Sequence, residues 1–315
     1  MTRAGAPRDH GGGLDAAAAR WGGTRSDWLD LSTGINPVPY PLPDLPAGAW
    51  TALPDAAATA RLEAAARRFW AVPESAGLVL APGASALIVR LPDIAPPGPV
   101  RIPGPTYNEH AAAFRLAGRT LTEAPAPVTV LVHPNNPDGR LRSAADLGPG
   151  LTVVDESFCD TDPGRSLIAA TARPGTLILK SFGKFWGLAG LRLGAAIAHP
   201  ETLADLAERL GPWPVSGPAL AIGAAALSDI PWAESTRARL AADAARLDRL
   251  MAGRGARPLG GTPLFRLYET GDAAAWQDRL ARHRIWSRIF PWSRGWLRLG
   301  LPAPAGWPRL EDALA

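Results

Sequence analysis

The sequence predicts an α/β protein: a mainly parallel sheet sandwiched by helices, followed by a smaller α+β domain. Three observations predict it. Six short apolar runs, at 78–81, 100–102, 128–133, 151–155, 176–181 and 194–198, have the length of buried strands. Helix-like stretches or loops with Gly and Pro separate them, and that alternation is the pattern of a sheet covered on both faces. Past residue 230 the pattern changes to one long helical stretch, 231–254, and then to segments at 264–268, 273–284 and 296–299.

Taken in order, residues 1–30 read as an irregular arm containing His10-Gly11-Gly12-Gly13, with a short helix at 14–21. A Pro-rich loop covers 36–46. Between 55 and 70, Leu62, Ala65, Ala66 and Phe69 recur at helical spacing with charges between them. The expected division is an arm with part of the small domain (1–45), a large domain (46–228) and a small C-terminal domain (229–315). A chain of 315 residues can bury a substantial core, and 47% hydrophobic against 20% charged residues excludes a disordered protein. The apolar runs are too short to span a bilayer, so no membrane partner is expected. The opening segment lacks the order of a signal peptide, and the single cysteine, Cys159, suits a reducing compartment; the expected location is cytoplasmic. A pI near 9.8 points toward nucleic acid, but the net charge is only +4 and the arginines are scattered, so no nucleic-acid partner is expected.

Of the 33 basic side chains, 31 are arginine and two are lysine, Lys180 and Lys184. On a surface the two types are nearly interchangeable. Where an amine must lose its proton and attack a carbonyl they are not, because a guanidinium stays protonated. Two lysines four residues apart are therefore suspects for amine chemistry. Lys184 leaves a strand on the turn Ser181-Phe182-Gly183-Lys184, free to reach a ligand, while Lys180 sits inside the strand and is given a structural or electrostatic role.

Three further features fall at strand ends, where open α/β sheets bind ligands. Gly83-Ala84-Ser85 follows the 78–81 strand and opens a helix toward Leu91; small residues there let backbone N–H groups approach a phosphate, though any strand-to-helix turn could look the same. His133-Pro134-Asn135-Asn136-Pro137-Asp138-Gly139 places an amide donor before a proline, and in isolation is also a good turn sequence. Asp155, in Val153-Val154-Asp155-Glu156-Ser157-Phe158, ends an apolar strand and would want a cationic partner. A protonated pyridine nitrogen is one; metal ligation is the runner-up, but no further ligand has the spacing, and no metal is expected. Ser181 and Arg192, eight residues beyond Lys184, are placed to bind a phosphate.

In this order and spacing, Asn136-Pro137-Asp138-Gly139, Asp155-Glu156-Ser157-Phe158 and Ser181 to Lys184 to Arg192 resemble the fold type I, aspartate-aminotransferase-like pyridoxal-phosphate enzymes over nearly the whole chain. The resemblance implies pyridoxal 5′-phosphate as cofactor, Lys184 as its Schiff-base and proton-transfer lysine, Asp155 on the pyridine nitrogen and Asn136 on the phenolic oxygen. It implies Tyr107 as the stacking aromatic and Arg298, in Trp296-Leu297-Arg298-Leu299-Gly300, as the clamp on a substrate carboxylate. It also implies a homodimer.

At the N-terminus, His10-Gly11-Gly12 and Leu29-Asp30-Leu31-Ser32-Thr33-Gly34-Ile35-Asn36-Pro37 look like the threonine-phosphate decarboxylases of cobalamin synthesis, relatives of histidinol-phosphate aminotransferases. Both take small phosphorylated amino compounds, which fits Arg288 ten residues before Arg298, one arginine for the carboxylate and one for the phosphate. His10, Gly34 and Asn36 join them as expected substrate contacts. The implied reaction is decarboxylation of L-threonine O-3-phosphate; the alternative is transamination of histidinol phosphate or a related amino acid. Two departures stand out. Phe158 replaces a tyrosine that many aminotransferases carry, and Leu53, in Leu53-Pro54-Asp55, replaces a tyrosine that reaches the cofactor phosphate across the dimer.

Overall fold

In the computed structural model, which describes residues 9–315, the large sheet has seven strands. The first eight residues of the expected arm lie outside the described residues. The spatial order is Gly77–Ala81, Gly194–Ala198, Thr176–Ser181, Leu151–Asp155, Val128–Val132, Val100–Arg101, Leu121–Thr122. Pairing is parallel from Thr176–Ser181 through to Leu121–Thr122, and Gly194–Ala198 is antiparallel to both of its neighbours. The reason lies in the connection. A parallel return needs a crossover of a dozen or more residues, usually a helix, and residues 182–193 hold only the short 3-10 turn Ala189–Leu191.

Every residue of Val128–Val132 and Leu151–Asp155 is buried, as central strands covered on both faces must be, and this is why they read as mainly apolar runs. The helix Ala56–Phe69 starts at Asp55, whose carboxylate accepts the Ala58 N–H at 2.6 Å. It buries Leu62, Ala65 and Ala66 and packs on Gly217–Ser228, where a Cβ at Gly223 would lie 3.2 Å from Leu62 Cδ1. The helix expected from Ala84 to Leu91 is instead two pieces, Ala84–Ile88 and Leu91–Ile94. Pro92 is the cause: it has no N–H to continue a helix and is at home in a first turn.

The chain forms two units. Pro39–Arg239 carries the seven-stranded sheet, and residues 9–38 join Leu240–Ala315. The second unit contains an antiparallel sheet in the order Arg288–Phe290, Ser293–Gly300, Phe265–Glu269, Arg257–Thr262. It also contains the parallel pair Leu29–Asp30 with Ile285–Trp286. The expected long helix is Ile230–Ala252. Among the described residues, no helix is long and apolar enough to cross a membrane.

Candidate active site

The register of the large sheet brings the expected cofactor residues to one edge. Ser181 ends its strand opposite Gly194, and Gly194 faces Ala81. The loops carrying Gly83, Lys184 and Arg192 therefore start from adjacent points. Asp155 ends the next strand opposite Leu179, and Val132, opposite Asp155, leads into Asn135 and Asn136.

Lys184 owes its placement to its neighbours. Phe182, Phe185 and Trp186 are fully buried, while Lys184 between them is only partly so. Trp186 stacks on Trp232 at 5.4 Å, meets Phe185 edge-on at 5.1 Å and donates from Nε1 to Asp160 Oδ2 at 3.0 Å. Truncating one such buried aromatic to alanine typically costs about 3–5 kcal/mol, so the backbone on either side of Lys184 is firmly held. Its Nζ lies 5.6 Å from the centre of the buried Phe158 ring.

Lys180 is 2% exposed, with Nζ 2.6 Å from Glu156 Oε2 and 3.6 Å from Asp160 Oδ1. Burial alone would lower its pKa, but the Glu156 and Asp160 carboxylates outweigh burial and raise it. It stays an ammonium and is no nucleophile.

Asp155 is 3% exposed. Burial alone would raise its pKa, yet His110 Nε2, 2.9 Å from Oδ2, lowers it. Ser157 adds to this, its N–H and hydroxyl donating to Oδ1 at 3.0 and 2.5 Å, and the carboxylate is held charged in the interior. His110 also meets the Tyr107 ring edge-on at 6.0 Å, which links the two expected cofactor residues. Asn135 donates from Nδ2 to the Pro105 carbonyl at 3.0 Å and to Asp138 at 2.7 Å, and accepts from the Thr106 hydroxyl at 2.5 Å. It ties the turn that carries Asn136 to the turn that carries Tyr107. Asn136 itself is partly buried.

At the edge of the sheet, Gly83 has φ +88, and a Cβ there would lie 2.8 Å from Arg192 Nη2. Arg192 is exposed, takes a left-handed φ of 54 and donates from Nη1 to the Ala189 carbonyl at 3.0 Å. Gly194 is as constrained, since a Cβ would sit 2.6 Å from the Ala84 nitrogen. Ser181 accepts the Gly183 N–H at 3.2 Å, and Ser85 is exposed. The helix Ala84–Ile88 has only five residues, so its dipole contributes little and Arg192 supplies the charge that would draw an anion. Pyridoxal 5′-phosphate fits this set on two counts. A single Cβ at Gly83 would fill the place beneath the guanidinium, and a buried carboxylate held charged suits a protonated ring nitrogen.

The expected substrate residues lie in the other unit. Arg288 and Arg298 face each other across antiparallel strands. Arg298 is buried, donates from Nη2 to the Ser32 carbonyl at 2.6 Å and lies 5.0 Å from the Phe265 ring centre. Burial, reinforced by the Arg288 charge, pushes its pKa down to about 9. Arg288 donates from Nη2 to Asp9 Oδ2 at 2.8 Å. Gly34 and Asn36 are buried, and Asn36 Oδ1 accepts the Val38 N–H at 3.1 Å. His10 is exposed beside Asp9.

Among the described residues, one group of metal-ligand type, His133, Glu156 and Cys159, has its ligand atoms within 4.8 Å of one another. Its bonds are those of a protein core. His133 accepts the Arg142 N–H at Nδ1 and donates from Nε2 to the Arg165 carbonyl. Glu156 is taken by Lys180, the Ser166 hydroxyl and the Leu167 N–H, and burial pushes the Cys159 thiol up, away from thiolate. A metal ion would have to break these bonds.

The model of the aminotransferase class I and II family matches residues 27–305. The chain belongs to that family. Two relatives, threonine-phosphate decarboxylases from Sinorhizobium sp and Pseudomonas aeruginosa, are each 42% identical to it. The first alignment covers 98% of both proteins and the second 97% of both. A histidinol-phosphate aminotransferase from Sinorhizobium meliloti, solved with pyridoxal-5′-phosphate, shares the fold with a TM-score of 0.80 at 21% identity, over 96% of this chain and 93% of that one. Like other class I and II family members, this chain uses pyridoxal 5′-phosphate.

In this class I and II aminotransferase-family chain, the sequence alone does not single out His110 and Ser157, which hold Asp155, or Asn135 and Thr106, which hold the Asn136 turn. Ser157 had a legible signal, since a serine two residues past an aspartate favours a local turn bond. His110, on a helix face shared with Ala113 and Phe114, reads as a core histidine until the partner strand is known.

Proposed function

We propose that this chain decarboxylates L-threonine O-3-phosphate to (R)-1-amino-2-propanol O-2-phosphate in cobalamin biosynthesis. The observation that carries the reading is 42% identity to two threonine-phosphate decarboxylases along almost the whole chain. The geometry supports it with two cross-strand guanidiniums for a substrate that carries both a carboxylate and a phosphate.

When bound, pyridoxal 5′-phosphate supplies the electron sink for the pair left at Cα when a bond there breaks. Asp155 stays charged to pair with its ring nitrogen, Tyr107 offers a face for stacking, and Asn136 donates to the phenolic oxygen. Gly83, Ala84, Ser85, Ser181 and Arg192 hold the cofactor phosphate. Arg298 binds the substrate carboxylate and Arg288 the substrate phosphate, with His10, Gly34 and Asn36 as further contacts. These groups fix the orientation of the substrate and so decide whether CO2 or the Cα proton departs. Loss of CO2 leaves Cα one proton short, and the Lys184 ammonium donates that proton.

The same reading makes the protein a cytoplasmic homodimer. Exposed Leu42, Trp50, Leu53 and Trp213 give the Pro39–Arg239 unit apolar surface for a second copy, and the buried, free Cys159 suits a reducing compartment.

The test is to incubate the holoenzyme with O-phospho-L-threonine and no keto acid. Release of CO2 with formation of the phosphorylated amino alcohol is expected. Consumption of histidinol phosphate with 2-oxoglutarate, and no CO2 from phosphothreonine, would overturn the proposal in favour of an aminotransferase.

A further inference from the structure

The N-terminal arm brings a carboxylate of its own to the arginine pair. Arg288 Nη2 donates both to Asp9 Oδ2 at 2.8 Å and to the Asp9 carbonyl at 2.9 Å. The arm is fastened just beyond that point. The Gly12 N–H donates to Ser32 Oγ at 2.7 Å, Trp286 Nε1 donates to the Gly12 carbonyl at 2.9 Å, and Gly11 lies too close to the Ser32 carbonyl to carry a side chain. Ser32 is also the residue whose carbonyl holds Arg298. The other nearby acid, Asp30, is committed to the Ser32 turn, accepting from its N–H at 2.9 Å and its hydroxyl at 2.6 Å. Asp9 is set apart by its exposure. Its side chain is 43% exposed against 12% for Arg288, so the carboxylate is the outer partner and can leave without uncovering the interior.

We propose that Asp9 is an internal competitor for the substrate phosphate at Arg288, holding the guanidinium between turnovers, yielding it to the phosphate and reclaiming it as product leaves. The inference rests on the reading that Arg288 takes the substrate phosphate. Substrate and product carry the same phosphate, and a group bound equally well before and after reaction adds nothing to turnover while slowing release. A carboxylate tethered a few residues from a fixed point acts at high effective concentration, strong enough to compete and weak enough to lose to a dianion. It sets how tightly Arg288 grips phosphate without touching the reacting bond.

The test compares holoenzyme with Asp9→Asn and Asp15→Asn variants, titrating inorganic phosphate by calorimetry and measuring KM and kcat for O-phospho-L-threonine. Asp15 is a control in the same arm, exposed and paired with Arg25 at 3.5 Å. Asp9→Asn should lower the phosphate dissociation constant and KM by about fivefold, the scale of one partly exposed ion pair, and should lower kcat or leave it unchanged. Asp15→Asn should do neither. Unchanged or weaker phosphate binding in Asp9→Asn, or equal tightening in Asp15→Asn, overturns the proposal. An Arg288→Ala variant that binds phosphate as well as the parent would overturn the assignment of Arg288 itself. If Arg288→Ala weakens binding while Asp9→Asn leaves it alone, only the competitor role falls.

Discussion

Arg298 and Asp155 show how far one side chain's surroundings can be set against its stability. Arg298 is buried opposite another cation, and its pKa is pushed down to about 9; a carboxylate bound there would relieve that cost. Arg298→Met fills similar space without a charge, so it should keep or raise the melting temperature while raising KM for phosphothreonine about 100-fold, the scale of a lost buried charge pair. Thermal denaturation and steady-state kinetics on one preparation check both halves. Asp155 has the opposite logic. Its folded pKa is lowered, so its contribution to stability is full above the ordinary carboxylate value of about 3.9 and is lost as pH falls through the lower folded value. Asp155→Asn should remove that acid limb from a series of urea-unfolding curves taken at falling pH.

At the scale of elements, the strand Thr176–Ser181 is joined to the Asp155-Glu156 turn and to the Lys184 loop through one buried cluster. Lys180 bonds Glu156, and Asp160 receives the indole N–H groups of Trp70 and Trp186. Lys180→Met should cost about 3–5 kcal/mol, because it leaves the Glu156 charge buried and unopposed. Adding Glu156→Gln should recover most of that loss, and a double-mutant cycle in urea would show the coupling. This cluster also marks the boundary of what the sequence could tell. The runs at 128–133, 151–155 and 176–181 are legible because strands buried on both faces are mostly apolar, and the polar residues that break them, such as Asp155 and Lys180, are few and paired. The direction of Gly194–Ala198 is not legible, since Gly-Ala-Ala-Ile-Ala reads the same in a parallel or an antiparallel strand. Strands of two residues, such as Leu29–Asp30, are too short for any periodicity. Within the candidate site, Lys184, Asp155 and Arg192 stand out in the sequence because their chemistry is unusual at a strand end. His110, Asp160 and Asp9 do not, because each acquires its role from a residue at least 20 positions away in the chain.

For the molecule as a whole, the apolar surface of the large unit is where assembly should be decided. Trp50 and Leu53 are 69% and 67% exposed on that unit. The proposed homodimer predicts that the parent sediments as a dimer and that a Trp50→Glu, Leu53→Lys double variant sediments as a monomer and loses activity with it. The near absence of lysine also has a use at the bench. Once borohydride has fixed the cofactor to its lysine and the protein is denatured, a protease that cuts only after lysine has two sites in the whole chain. Untreated protein should fall into pieces 1–180, 181–184 and 185–315. Fixed protein should keep 181–315 in one piece, fluorescent and heavier by the reduced cofactor, so a single gel lane would report which amine had been in use.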